Sequence, residues 1–167
     1  MTGAGEAGFE ELYISARGRI VRQVLALTGD LSEAAEVVQE AFMRAWQHWD
    51  KVAGYDDPEA WVRRVAHNLA VSRWRRIRRS RDQRPEPDPE TADGSGPDTR
   101  MAVSAALAAL PVNQRRAIVL HHLGGLSVEE TAAELEAPTG TVKSWLARGR
   151  SAMAASLGRE DEEEGTP

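Results

Sequence analysis

The chain contains no cysteine. No disulfide framework, thiolate nucleophile or cysteine metal site can form. No apolar run approaches the ~20 residues that a spanning helix needs, so membrane insertion is not expected. Met1 to Glu10 has neither a basic start nor an apolar stretch, which argues against a secretory signal. The expected location is cytoplasmic. Phosphate-cradling glycine motifs of the GxxxxGK[ST] and GxGxxG kinds are missing. Ser, His and Asp are present, but nothing in the sequence sets a nucleophile beside a base. His121 and His122 are helix neighbours pointing roughly 100° apart, a poor metal pair. The expectation is a protein that is not an enzyme and has no metal and no cofactor.

Lysine is almost absent: of 21 basic residues only Lys51 and Lys143 are lysine. The net charge of −5 conceals a strong asymmetry. Residues 1–60 carry −6, residues 61–84 carry +8, residues 85–100 carry −4 and residues 101–167 carry −3. The basic block holds nine arginines against Asp82 alone. A polyanion-binding segment is therefore hidden inside an acidic chain.

The apolar residues, 41% of the total, are spaced for helices and can build a core. Phe9 to Leu27 is one amphipathic helix, stopped at Thr28-Gly29-Asp30, with Ser32 or Asp30 capping the next. That second helix carries Val38, Ala41, Phe42, Ala45, Trp46 and Trp49 to about Asp50. Lys51 to Asp57 reads as a loop. Pro58 suits a first helical turn, with Asp57 as cap, and a third helix follows from about Glu59 to Arg79. Residues 82–99 contain Pro85, Pro87, Pro89 and Pro97 with almost no apolar side chains, an extended acidic linker. Beyond it, one helix ends at Leu110 and another runs from Val112 to Leu123, before Gly124-Gly125. Ser127 and Glu130 form a capping box for a helix to Leu135. A last helix spans about Thr139 to Leu157, and the acidic run at Glu160–Glu164 reads as a disordered tail. No strand is signalled. The fold class is all-α: two small helical domains, 1–81 and 100–158, joined by the acidic Pro-rich linker 82–99, with a tail at 159–167.

Ser127–Leu135, the turn Glu136–Pro138 and Thr139–Gly149 have the layout of a helix-turn-helix. In such units the second helix enters the major groove and its first turns reach base edges. Thr139, Thr141, Lys143, Ser144, Arg148 and Arg150 supply donors there. The alternative is an ordinary helical hairpin with a basic solvent face. The block Arg73 to Arg81 is a second polyanion site, with Arg63, Arg64, His67 and Asn68 adding donors on the same helix. Its alternative is a solvated helix end whose arginines favour the C-terminal dipole. Trp46 and Trp61 read as core. Trp49 and Tyr55 lie at or near the loop, where they can stack on a single-stranded base or form a lid over the helices. Trp145 sits in the recognition helix where a polar or basic residue is expected.

These strings resemble a known family. Ala34 to Phe42 with Arg44-Ala45-Trp46 is similar to the second conserved segment of bacterial sigma factors of the extracytoplasmic-function group. Trp61 to Ala70, followed by the arginine block, resembles the segment that meets the promoter −10 element. Leu107 to Pro111 with Gln114-Arg115, then Leu126 to Ala132 and Gly140 to Ser144, resemble the fourth region and its helix-turn-helix. The resemblance covers roughly residues 9–157. It implies binding to core RNA polymerase, through the clamp helices of the largest subunit and the flap of the second-largest, and direction of that enzyme to promoter DNA with strand separation. Gln39, Glu40 and Arg44 would dock on polymerase. Gly54, Tyr55, Arg63, Arg64, His67 and Asn68 would handle the melted −10 strand, and Arg73, Arg75 and Arg76 its upstream backbone. Thr139, Thr141, Lys143, Ser144, Trp145 and Arg148 would face the −35 element, with Arg115 on phosphate. An anti-sigma factor fits the resemblance as a further partner. Val37 stands where an acid is expected, Ser72 where an aspartate is, Trp145 where an arginine is and Gly149 where an alanine is. A stand-alone helix-turn-helix regulator is the competing reading.

Overall fold

A computed structural model describes residues 3–81 and 98–164, with side chains over 5–76 and 102–158. Among the described residues every regular element is helical. The chain divides into two compact units, Met1–Trp74 and Arg75–Pro167. The proline-rich segment read as a linker lies outside the described residues, apart from Asp98 and Thr99, which open a helix.

In the first unit α1 spans Gly3–Thr28, α2 Leu31–Gln47 and the single turn α3 Trp49–Val52, and α4, Pro58–Arg81, belongs to it as far as Trp74. Ala16, Ile20, Val24 and Leu27 form the buried stripe of α1 at three- and four-residue spacing. Gly29 stops that helix at φ +76°, a left-handed conformation that Gly adopts without a Cβ penalty. Asp30 then caps α2 by accepting from the Glu33 amide at 2.9 Å. Asp57 does the same for α4 through the Ala60 amide at 2.9 Å. Ala34, Val37, Val38, Ala41, Phe42 and Ala45 of α2 meet Val62, Ala66 and Ala70 of α4 and the stripe of α1 in one core. The many alanines let the helices approach closely. The branched side chains supply the transfer energy, roughly 1.5–3 kcal/mol for each one fully buried.

In the second unit α5 spans Asp98–Ala109, α6 Val112–Ile118, a π-helical turn Val119–Leu123, α7 Val128–Leu135 and α8 Thr139–Glu164. Ala106, Leu107, Leu110, Ala117, Ile118, Val119, Leu120, Val142 and Leu146 are buried. Four of these are consecutive, because the wider π turn rotates the apolar face as the chain advances. The Gly124 amide closes that turn on the Val119 carbonyl at 2.9 Å. A Cβ on Gly124 would lie 2.5 Å from the Leu120 carbonyl oxygen, so glycine is required there.

The structure corrects several sequence expectations. The second helix ends at Gln47, short of the expected Asp50, and Lys51 and Val52, read as loop, belong to the separate helical turn Trp49–Val52. The final helix runs to Glu164, so the acidic run read as a disordered tail continues α8. Trp49 is only 6% exposed and makes an edge contact with Phe9 at 5.3 Å, so it belongs to the interior and cannot stack on a base.

Candidate nucleic-acid interface

The helix-turn-helix is built from local rules. Ser127 Oγ accepts from the Glu130 amide at 3.1 Å, and the Glu130 carboxylate accepts from the Ser127 amide at 2.7 Å. This reciprocal cap fixes where α7 starts. Glu136 ends α7 in the left-handed region, φ 53°. That backbone turn re-aims the chain into α8, and nothing in the identity of a glutamate announces it. Val142, Leu146 and Gly149 are the buried stripe of α8. Lys143 and Arg148 are exposed on its other side, with Ser144 and Thr141 half-buried. Trp145 is half-buried too and lies one turn from Thr141, on the border of the buried stripe rather than at its solvent-facing centre. Gly149 has a packing reason: a Cβ there would meet Ile118 Cγ1 at 2.9 Å, so its absence lets α8 sit directly on α6.

Arg115 is not a surface cation. It is 6% exposed, and its Nη2 donates to the carbonyls of Ala108 at 2.6 Å and Leu110 at 3.1 Å. Those carbonyls belong to the end of α5, where the helix has no partner of its own for them. Arg115 is thus a side-chain cap across the Pro111 turn, which corrects its expected place on phosphate. Nearby, His121 and His122 meet edge-to-face at 4.8 Å, and His121 Nδ1 lies 2.6 Å from the Leu126 carbonyl. Burial, with His121 and Arg150 close by, holds the His122 imidazole below its ordinary range.

From α2 to the end of α4 the sequence-selected residues separate by burial. Arg63 and His67 are 8% and 1% exposed and lie in the interior, so they leave the set expected on the melted strand. Arg64 is half-buried, and Asn68, Gly54, Tyr55, Arg75 and Arg76 are exposed. On α2, Gln39 and Arg44 are exposed and Glu40 is half-buried, so they share the outer face. Val37 is fully buried, and the exposed acid beside it is Glu36. Position 37 therefore faces the core, and its lack of charge does not weaken the surface. Arg73 does not point into solvent alone. Its Nη2 pairs with Glu40 at 2.8 Å and its Nη1 with Glu36 at 3.3 Å. Glu40 also takes Arg44 at 2.6 Å. Burial pushes the Glu33 carboxyl up, Asp30 adds to the rise and Arg73 opposes it. Sequence reasoning missed this acidic stripe of α2, although Glu33, Glu36 and Glu40 at three- and four-residue spacing were its signal.

Two family models match this chain: Sigma-70 region 2 over residues 12–80, and Sigma-70, region 4 over residues 100–153. The ECF RNA polymerase sigma factor SigL of Mycobacterium tuberculosis is 34% identical over 142 residues, which cover 81% of this chain and 80% of that protein. The chain belongs to the extracytoplasmic-function sigma factors. An RNA polymerase sigma-E factor of Streptomyces avermitilis is 31% identical over 159 residues, covering 92% of this chain and 87% of that one. Two solved structures share the fold. RpoE of Bartonella quintana, in complex with the anti-sigma factor NepR, has a TM-score of 0.74 at 24% identity, covering 90% of this chain and 97% of that chain. CnrH, in complex with the cytosolic domain of CnrY, has a TM-score of 0.68 at 23% identity, covering 92% and 90%. As a sigma factor the protein acts in promoter recognition at transcription initiation, and the stand-alone regulator is not favoured. No helix among the described residues is long and apolar enough to cross a membrane.

Proposed function

We propose that the two halves of this sigma factor divide one promoter between them. Residues 1–81 bind core RNA polymerase and the −10 element, residues 100–158 bind the −35 element, the acidic segment 82–99 links them, and residues 159–167 lie beyond the DNA-binding part. Gln39, Glu40 and Arg44 on the outer face of α2 dock on the clamp helices of the largest polymerase subunit, and the second unit meets the flap of the second-largest. Gly54 and Tyr55, with Arg64 and Asn68 of α4, receive the unpaired −10 strand, and Arg75 and Arg76 track its upstream backbone. Thr139, Thr141, Lys143, Ser144, Trp145 and Arg148 meet the −35 element. The observation that carries this reading is the exposure of Lys143 and Arg148 on the second helix of the helix-turn-helix, opposite its buried stripe. Two neighbours of the same fold are held by an anti-sigma factor or by a cytosolic domain of a second protein. An anti-sigma factor that covers α2 and α8 is accordingly proposed as a partner here. The protein works in the cytoplasm and catalyses no reaction itself.

The test is capture of core RNA polymerase on the purified chain, followed by run-off transcription over a genomic promoter library. Polymerase binding with new start sites that share upstream elements is the expected result. Sequence-specific DNA binding without polymerase capture would overturn the reading.

A further inference from the structure

The arginine block of α4 begins with a residue that is already occupied. Arg73 is 29% exposed in its side chain and bridges to two carboxylates of α2, Glu40 at 2.8 Å and Glu36 at 3.3 Å. Arg75 and Arg76 are exposed on the same helix, and neither takes part in these bridges. Two carboxylates presented to one guanidinium imitate the oxygens of a phosphate in charge and in geometry. They stand on the outer face of α2, beside Gln39 and Arg44, which is the face assigned to polymerase.

We propose that Glu36 and Glu40 act as an internal substitute for DNA phosphate, holding Arg73 on α2 until core polymerase engages that face and releases the arginine to the promoter backbone. The proposal rests on the polymerase and −10 assignments above. The carboxylates have the exposure such an exchange needs. Glu36 is 72% exposed and Glu40 32%, and Glu40 is already shared between Arg73 and Arg44. Exposed pairs of this kind are individually weak, so a partner that contacts the acids displaces the arginine readily. A guanidinium keeps its charge throughout, so the handover moves a cation without moving a proton. One set of contacts thereby makes DNA affinity conditional on polymerase.

The experiment uses the full chain and a fluorescent random-sequence duplex, because phosphate contacts are independent of sequence. Affinity is followed against salt for the native chain, R73Q, E36Q/E40Q and the triple variant. The E36Q/E40Q chain is expected to bind several-fold tighter, with a salt slope steeper by about 0.9, the value for one added phosphate contact. R73Q is expected to cost the free native chain little and to abolish both gains in the E36Q/E40Q background. With core polymerase present and the acids intact, R73Q is expected to cost several-fold in DNA affinity. A gain that survives R73Q would show general relief of repulsion and overturn the proposal. An equal R73Q cost with and without polymerase would overturn it too. Polymerase capture by the native chain is scored separately, so loss of the handover is distinguishable from loss of the polymerase assignment.

Discussion

Arg115 shows how a residue's chemistry can be legible while its role is not. Its type suited phosphate, and its position one turn after Pro111 suited equally a reach back to the end of α5. The signal for the second role was a cation within a turn of a helix that proline had ended. The structure decides by burial, 6% exposed, and by two carbonyl partners. Arg115→Met leaves those carbonyls unmet and is expected to destabilise the second unit by about 2–3 kcal/mol, read as a shift of that unit's denaturant transition. The salt slope of DNA binding is expected to stay unchanged at temperatures where the variant is folded, whereas loss of a phosphate contact would lower it by about 1. Trp145 presents the opposite case. Its oddity was visible in the sequence, and its place on the border of the buried stripe was not. Trp145→Arg is expected to add preference for one −35 base pair, within the roughly 1–3 kcal/mol of a bidentate contact. A promoter-library readout checks this. Polymerase affinity is expected to be unaltered, and an unaltered base preference instead would place the side chain away from DNA.

The helices themselves were largely legible because capping and periodicity are local. Asp57 and Ser127 sit where a cap was expected, Asp30 rather than Ser32 caps α2, and each makes its amide bond. What escaped was anything set by a neighbour. The burial of Arg63 and His67 depends on which side of α4 the other helices cover, and one helix's pattern cannot report that. The π turn at Val119–Leu123 escaped because its residues look like ordinary helix, and only Gly124 against the Leu120 carbonyl marks it. The left-handed Glu136 escaped for the same reason, since asparagine or glycine is the usual signal there. The capping box is the part of the helix-turn-helix most open to test. Ser127→Ala removes one of its two bonds and is expected to cost about 1 kcal/mol in the unfolding transition of the second unit. Because α7 sets the entry into α8, the same change is expected to weaken −35 binding with no shift in base preference. A shift in preference without loss of stability would mean that Ser127 touches DNA directly.

Charge is the property that belongs to the whole chain, and it governs when this sigma factor binds DNA. Nine arginines between residues 61 and 84 face a total that is still −5, because acids fill the first 60 residues, the linker and the end of α8. Phosphate affinity grows with the number of cations delivered to the backbone and falls with every acid brought near it. Among the described residues the free chain delivers few. Among those residues Arg63 and Arg115 are interior and Arg73 is held on α2, while Arg75, Arg76, Lys143, Arg148 and Arg150 are exposed. On the proposed assignments core polymerase changes both sides of that balance: it covers acids on α2 and brings both proposed DNA faces to one duplex, so that the second contact is made at high effective concentration. The isolated chain is therefore expected to shift promoter duplex only weakly in a gel at moderate salt, and core enzyme is expected to tighten binding by orders of magnitude, beyond what core enzyme alone gives. Equal promoter affinity of the chain with and without core enzyme would refute this account, because it would mean that the arginines reach phosphate unaided and that the acids around them do not matter.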